Sequence, residues 1–146
     1  MKSVARILNA KADQAIYTIS PTASVFDAVK LMAEKNIGAL VVMDGEKIAG
    51  IITERDYARK IVLMARSSKD TPVRDIMTAS AMYVSPAQMS GECMALMTAN
   101  RVRHLLVIND GKLLGLVSIG DLVSDTISEQ KFVIRQLEHY ITGEPN

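Results

Sequence analysis

A chain of 146 residues, 49% of them apolar, suffices for one domain or for two small ones sharing a core, and with no Trp and two Phe that core must come from aliphatic side chains and Met. The 17 basic and 16 acidic residues are mixed along the sequence without a basic stripe, which argues against nucleic acid or an anionic membrane as the partner, since both are held by clustered Lys and Arg. No stretch nears the roughly 18 uninterrupted apolar residues of a membrane span, the run from Met1 to Arg6 is too short for a secretory signal, and the lone Cys93 permits no internal disulfide, so a cytoplasmic setting is expected.

In chain order, Val4–Leu8 reads as a short helical turn. A strand, Ile16–Ile19, stops at Ser20-Pro21, where proline removes a backbone donor and restrains the residue before it. A helix follows over Val25–Lys35: Val25, Ala28, Val29 and Met32 fall at i, i+3, i+4 and i+7, and Ser24 with Asp27 reads as its cap. Two strands rich in branched residues, Leu40–Met43 and Ile48–Thr53, flank the hairpin signal Asp44-Gly45. A second helix is expected over Glu54–Ala65, then a loop from Ser67 to Pro72 and another helical turn, Val73–Met77.

The pattern then starts again. Strand Met82–Val84 stops at Ser85-Pro86, a helix carries Cys93 on its apolar face as core filler, strands Leu105–Ile108 and Leu113–Ser118 flank Asn109-Asp110-Gly111, and a helix runs from Gly120. Met89 stands where Ser24 does, with Gly91 in the first turn, so this helix start is expected to differ. Between Ser128 and Ile141, the residues Val133, Leu137 and Ile141 recur at helical spacing, a face expected to pack on the module or on a partner subunit. The nine methionines read as packing residues of the core or of a subunit contact.

Sliding the sequence by 65 positions makes the repetition explicit, without gaps from Ser20 to Asp56. Ser20-Pro21 falls on Ser85-Pro86, Leu31-Met32 on Leu96-Met97, and Leu40 and Val42 on Leu105 and Val107. Lys47, Gly50, Thr53 and Asp56 fall on Lys112, Gly115, Ser118 and Asp121. Turn, core and polar residues thus match at one offset. Copies of about 45 residues are small for independent folds, so the expected class is α+β: two βαββα repeats packed as a pseudo-twofold pair sharing one core. The expected divisions are 1–15 as an N-terminal arm with a short helix, 16–66 as the first repeat and 67–81 as a linker with a short helix. The second repeat spans 82–127, and 128–146 form a C-terminal amphipathic helix and tail.

Two copies of a strand ending in Ser-Pro, a helix, and a strand pair closing on Gly-hydrophobic-hydrophobic-Thr/Ser-x-x-Asp resemble a tandem cystathionine-β-synthase (CBS) domain pair, or Bateman module. The segments Asn36–Val42, Gly50–Lys60 and Arg101–Val107 are similar to stand-alone bacterial members, and the likeness covers nearly the whole chain. It implies an adenosine ligand (AMP, ADP, ATP, sometimes NAD or S-adenosylmethionine) in clefts between the copies, and a disc-shaped homodimer. One departure is Leu106, where many such domains carry Pro.

Thr53-Glu54-Arg55-Asp56 and Ser118-Ile119-Gly120-Asp121 sit where a strand hands over to a helix, and they read in two ways. One is a capping box, in which the hydroxyl accepts a first-turn N–H and the acid reaches back. The other is a ligand site: an ionised carboxylate, Asp56 or Asp121, can accept both hydroxyls of a ribose. First-turn N–H groups beside Thr53 or Ser118 favour a phosphate. The acid is Asp in both copies, where Glu or Gln is the usual capping partner, and a Gly precedes each hydroxyl by three residues.

In the resembling family these positions contact ribose and phosphate. The adenine is expected against a first strand, at Tyr17, Thr18, Ile19 and Ser20 with Ala39, or at Met82, Tyr83 and Val84. The copies diverge at Gly38-Ala39 against Arg103-His104; either the latter form a solvated charged turn or they reach phosphate, with Arg55 and Lys11 as further phosphate candidates. No Cys or second His stands at ligand spacing from His104, so no metal is expected. His139 is expected to be exposed.

Nothing in the sequence forms a Ser-His-Asp or Cys-His arrangement, a P-loop or a Gly-x-Gly-x-x-Gly fingerprint, so an enzyme is not expected. The expected function is an adenine-nucleotide sensor. The alternative is a ligand-independent dimerisation module with vestigial clefts that docks on an unidentified protein partner.

Overall fold

The computed structural model describes residues 2–143. Its elements are helix α1 (Val4–Ala10), strand β1 (Thr18–Ile19), helix α2 (Val25–Lys35), strands β2 (Ala39–Asp44) and β3 (Lys47–Thr53) and helix α3 (Glu54–Tyr57). Next come a π-helical turn (Ala58–Val62), a 3-10 turn (Val73–Asp75), β4 (Tyr83–Val84), α4 (Ser90–Asn100), β5 (His104–Asn109), β6 (Lys112–Ser118) and α5 (Ile119–Thr142). Among the described residues, no helix is long and apolar enough to cross a membrane.

The fold is mixed α+β, with one three-stranded sheet per repeat, ordered β1-β2-β3 and β4-β5-β6. β1 lies parallel to β2 because α2 carries the chain back, and β2 and β3 form an antiparallel hairpin. The second sheet repeats this register at the offset of 65: Val42 pairs with Gly50, and Val107 with Gly115. Even the irregularity recurs, as a register shift after Val42 and again after Val107.

The turns do differ. Asp110 and Gly111 both have positive φ, as a two-residue type I′ loop requires, whereas in the first hairpin the loop is Gly45-Glu46 and only Gly45 has positive φ. The sequence signal Asp44-Gly45 therefore sits one residue early, with Asp44 still paired to Lys47. The first strands are also shorter than expected, two paired residues each.

The helices following β3 and β6 depart from expectation in opposite ways. After the single turn of α3 the backbone widens, with Leu63 N–H bonding the Ala58 carbonyl at 3.1 Å and Arg66 N–H the Ile61 carbonyl at 3.0 Å, so no uniform α-helix spans Glu54–Ala65. In the second repeat, by contrast, no Gly or Pro interrupts 121–142, and the repeat's last helix and the amphipathic tail are one helix, α5. His139, on its last turns, is half-buried rather than exposed.

The chain forms two compact units, Ala15–Met82, and Met1–Gln14 with Tyr83–Asn146. Each therefore contains one repeat and the short helical segment that leads into the other. In the first unit, Val73 and Ile76 join Val25, Ala28, Met32, Leu40, Val42, Ile52 and Ile61 in one core. The same segment caps α2: Val25 N–H bonds the Thr71 carbonyl at 2.9 Å and Phe26 N–H that of Ser68 at 2.9 Å, while the Ser24 hydroxyl accepts Asp27 N–H at 3.0 Å. The helix's otherwise orphaned first donors are thus satisfied.

The second unit reproduces the arrangement with α1. Ser90 N–H bonds the Lys2 carbonyl at 3.0 Å, Val4 N–H that of Gln88 at 2.8 Å and Ala5 N–H that of Pro86 at 3.0 Å, and Val4 and Ile7 are buried. Met89 provides no hydroxyl cap; Glu92 reaches back to its N–H instead, at 3.2 Å.

Two glycines mark where these segments press on the sheets. A Cβ on Gly50 would collide with the carbonyl oxygen of Thr78, a backbone atom held by the paired bonds Ile51 N–H to Thr78 O (3.0 Å) and Thr78 N–H to Ile51 O (2.8 Å). A Cβ on Gly115 would meet only the Leu8 side chain, at 3.0 Å. Gly50→Ala should therefore cost about 2 kcal/mol, as overpacking against a rigid neighbour does, and Gly115→Ala less than about 1 kcal/mol. Urea unfolding measures both, and equal losses would contradict the difference.

Candidate functional site

Each repeat ends β3 or β6 with a hydroxyl residue that becomes the N-cap of the next helix. The Thr53 hydroxyl accepts Asp56 N–H at 3.2 Å while Asp56 Oδ2 accepts Thr53 N–H at 3.0 Å; the Ser118 hydroxyl accepts Asp121 N–H at 3.1 Å while Asp121 Oδ2 accepts Ser118 N–H at 2.9 Å. The capping box is thus present in both copies.

Asp56 is 7% exposed. Its Oδ2 also accepts the Thr53 hydroxyl at 3.1 Å, and its Oδ1 receives Lys60 Nζ at 3.1 Å and the Thr78 hydroxyl at 3.4 Å. Lys60 is held further by the Ile76 carbonyl, at 2.8 Å. Asp121 is half-buried, and Lys11 Nζ lies 3.2 Å from its Oδ2 while also donating to the Leu116 carbonyl at 3.1 Å. A lysine accompanies each aspartate, from different origins: Lys60 stands four residues on, in the π-helical turn after α3, whereas Lys11 caps the C-terminus of α1.

At Lys60's place in the second repeat stands Asp125. It is buried, pairs with Lys2 at 3.2 Å through Oδ1, and keeps Oδ2 buried without a hydrogen bond among the described residues. Lys60 is legible in the sequence as an i+4 partner of Asp56. Thr78, Asp125 and Lys2 carry no local signal, because only the fold brings them here.

The predicted phosphate residues of the second repeat gather at one end of its sheet. His104 pairs with Ser118 across β5 and β6, and the Arg103 carbonyl accepts Ile119 N–H at 2.9 Å, so both lie beside the start of α5. Arg103 is exposed and His104 half-buried. The first repeat has the same frame, with Glu54 N–H on the Gly38 carbonyl at 3.1 Å and Ala39 paired with Thr53, but small residues in those places; Arg55 is exposed on α3.

Arg101 ends α4 with φ of 53°, the left-handed conformation that Asn36 adopts at the end of α2. Asn takes it more readily than Arg. Of the predicted base-binding residues, Thr18 and Ser20 are exposed, Tyr17, Ile19 and Met82 half-buried, and Ala39 and Val84 buried. Tyr83, 64% exposed, presents the largest open ring surface among them. Lys35 Nζ stands 5.3 Å from the Tyr17 ring centre.

Cys93 is fully buried, and that burial, with the Glu92 carboxylate adding to it, pushes its thiol up from the ordinary value. Among the described residues, no group of three His, Cys, Asp or Glu side chains could hold a metal ion.

The family model for the CBS domain matches residues 8–63 and 73–126. The mitochondrial CBS domain-containing protein CBSX3 of Arabidopsis thaliana is 47% identical over 125 residues, covering 82% of this chain and 61% of that relative, so the chain spans about three-fifths of its length. The solved structure of a protein with CBS domains from Burkholderia ambifaria MC40-6 is 60% identical, with a TM-score of 0.86 over 88% of this chain and 96% of that one. A CBS domain protein from Pyrobaculum aerophilum, solved in complex with AMP, shares the fold at 19% identity, with a TM-score of 0.72 over 82% of this chain and 89% of that one.

Two outcomes are expected. Asp56→Ala should cost about 2–4 kcal/mol in urea unfolding, because it strands Lys60 and the N-cap amide, against about 1 kcal/mol for Asp121→Ala; the reverse order would contradict the geometry. Ellman's reagent should leave the native thiol of Cys93 untouched and titrate it only in denaturant, and prompt reaction in buffer would show the site to be accessible.

Proposed function

The chain belongs to the CBS-domain family, and we propose that this pair of domains, a regulatory module, binds an adenine nucleotide (AMP, ADP, ATP or NAD) at the strand-to-helix junctions and catalyses no reaction. The observation that carries the reading is the junction itself: a carboxylate, a helix N-terminus and a lysine converge there, and in the second repeat Arg103 and His104 stand beside them. The carboxylate suits the paired hydroxyls of a ribose, and the helix start and cations suit phosphate. The base would lie along the first strand, where Tyr83 offers an exposed ring to stack on. The AMP complex of the Pyrobaculum protein supports an adenosine ligand for this fold.

A homodimer is part of the same reading. Phe132, Val133, Leu137, Tyr140 and Ile141 of α5 are each more than half exposed, apolar side chains that association with a second copy would cover. A reducing compartment such as the cytoplasm suits the single buried thiol.

A thermal-shift panel of AMP, ADP, ATP, NAD and S-adenosylmethionine tests the ligand. A binder at about 100 times its Kd adds about 2.7 kcal/mol of stability, and for a chain of this size that raises Tm by about 5–10 °C. No response to any of the five would contradict the reading and favour an interaction module that works without ligand.

A further inference from the structure

Resting on that reading, we propose that the chain takes one nucleotide, at the Asp121 junction, and that the Asp56 junction is closed by its own side chains and serves structure only. The repeat makes the two junctions equivalent in sequence, and four differences separate them.

The first is the carboxylate. An ionised carboxylate offers about four acceptor directions, and at Asp56 four protein donors take them: Thr53 N–H, the Thr53 hydroxyl, Lys60 Nζ and the Thr78 hydroxyl. A ribose there would have to displace at least two of these donors from a buried site. At Asp121 only Ser118 N–H and Lys11 Nζ engage the carboxylate, both through Oδ2, and among the described residues Oδ1 has no partner. That oxygen is open to a hydroxyl.

The second is what lies over the junction. The Thr78 backbone is fixed to β3 by its paired bonds with Ile51 and packs on Gly50, so the main chain there cannot move aside without breaking them. The corresponding cover at Gly115 is the Leu8 side chain, which can change rotamer.

The third is the first turn. Where Arg55 stands in the first repeat, the second has Gly120, and a Cβ there would meet nothing nearer than the Ser118 hydroxyl at 3.5 Å. In that first turn Ile119 N–H bonds the Arg103 carbonyl and Asp121 N–H the Ser118 hydroxyl, and Gly120 between them adds no side chain over its own N–H. α5 also runs 24 residues, whereas α3 keeps α-geometry for four, so the aligned peptide dipoles favouring an anion are fuller at Asp121.

The fourth is the counter-ion. Lys60 is committed to Asp56 and Ile76, while the matching position holds Asp125, whose charge Lys2 balances. Lys11 alone pairs with Asp121, from the end of α1 and partly exposed. A bound ribose would take the open oxygen, and Lys11 need only rotate to meet phosphate.

Equilibrium dialysis of the full chain against AMP and against ATP tests this by counting. One equivalent per chain is expected, with Asp121→Asn weakening binding by about tenfold or more, the loss of a charge-assisted acceptor. Two equivalents, or undiminished binding by a folded Asp121→Asn variant, overturns the inference while leaving the nucleotide-binding reading intact. Should that variant not fold, amide NMR shifts of the wild-type chain decide: changes at Lys11 and Ser118–Leu122 support it, and changes centred on Thr53–Tyr57 overturn it. If the wild-type chain binds neither AMP nor ATP, nor ADP, NAD or S-adenosylmethionine in the same dialysis, the functional reading falls and this inference with it.

Discussion

At the end of each sheet a carboxylate accepts the backbone N–H of the residue three places before it, from Thr53 to Asp56 at 3.0 Å and from Ser118 to Asp121 at 2.9 Å. This bond turns an extended chain into a helix within one residue, and the rest of the junction follows from it. It fixes the direction in which α3 and α5 start. It also holds the last strand in register with the start of β2 or β5, where the Gly38 and Arg103 carbonyls take the first helical N–H. The same acid that satisfies a helix end is the group best suited to grip a ribose. In the proposed function structure and ligand binding compete for one carboxylate, and what distinguishes the two copies is how many of its acceptor directions the protein has already used.

The second constraint is size. A repeat of about 45 residues buries too little surface to stand alone, and each is completed by the segment that leads into the other. Val73 and Ile76 fill the core of the first unit, and Val4 and Ile7 are buried in the second. Each segment also donates carbonyls to the first N–H groups of the repeat's helix, Thr71 to Val25 and Lys2 to Ser90. The same crossing gives the junctions different neighbours, because the segment from Ser67 brings Thr78 to Asp56 while the one from Lys2 brings Lys11 to Asp121.

Much of this was legible in the sequence, wherever the signal was local. Helix α2 runs from Val25 to Lys35 as its apolar spacing and the Ser24 cap require, and the offset of 65 carries the register of the second sheet and the position of its bulge. The Asp44-Gly45 signal places the turn one residue early because Asp44 takes part in the strand pairing. The break after Tyr57 has no Gly or Pro to announce it, whereas the continuity of α5 is legible in the absence of both from 121–142. At the site, the hydroxyls and acids of both boxes could be read from spacing. The partners that make them unequal could not: Thr78 lies 22 residues from Asp56 and Lys11 lies 110 from Asp121, distances over which no periodicity carries information. The Lys60-to-Asp125 change stood in the repeat alignment, but its meaning needed the salt bridges.

We propose that an adenine nucleotide rests its ribose on a junction carboxylate. A crystal structure of the chain grown with AMP tests it most directly. Ribose hydroxyls are expected at about 2.7 Å from Asp121, with Asp56 still holding Thr53, Lys60 and Thr78. AMP bound with its ribose on neither carboxylate would contradict it.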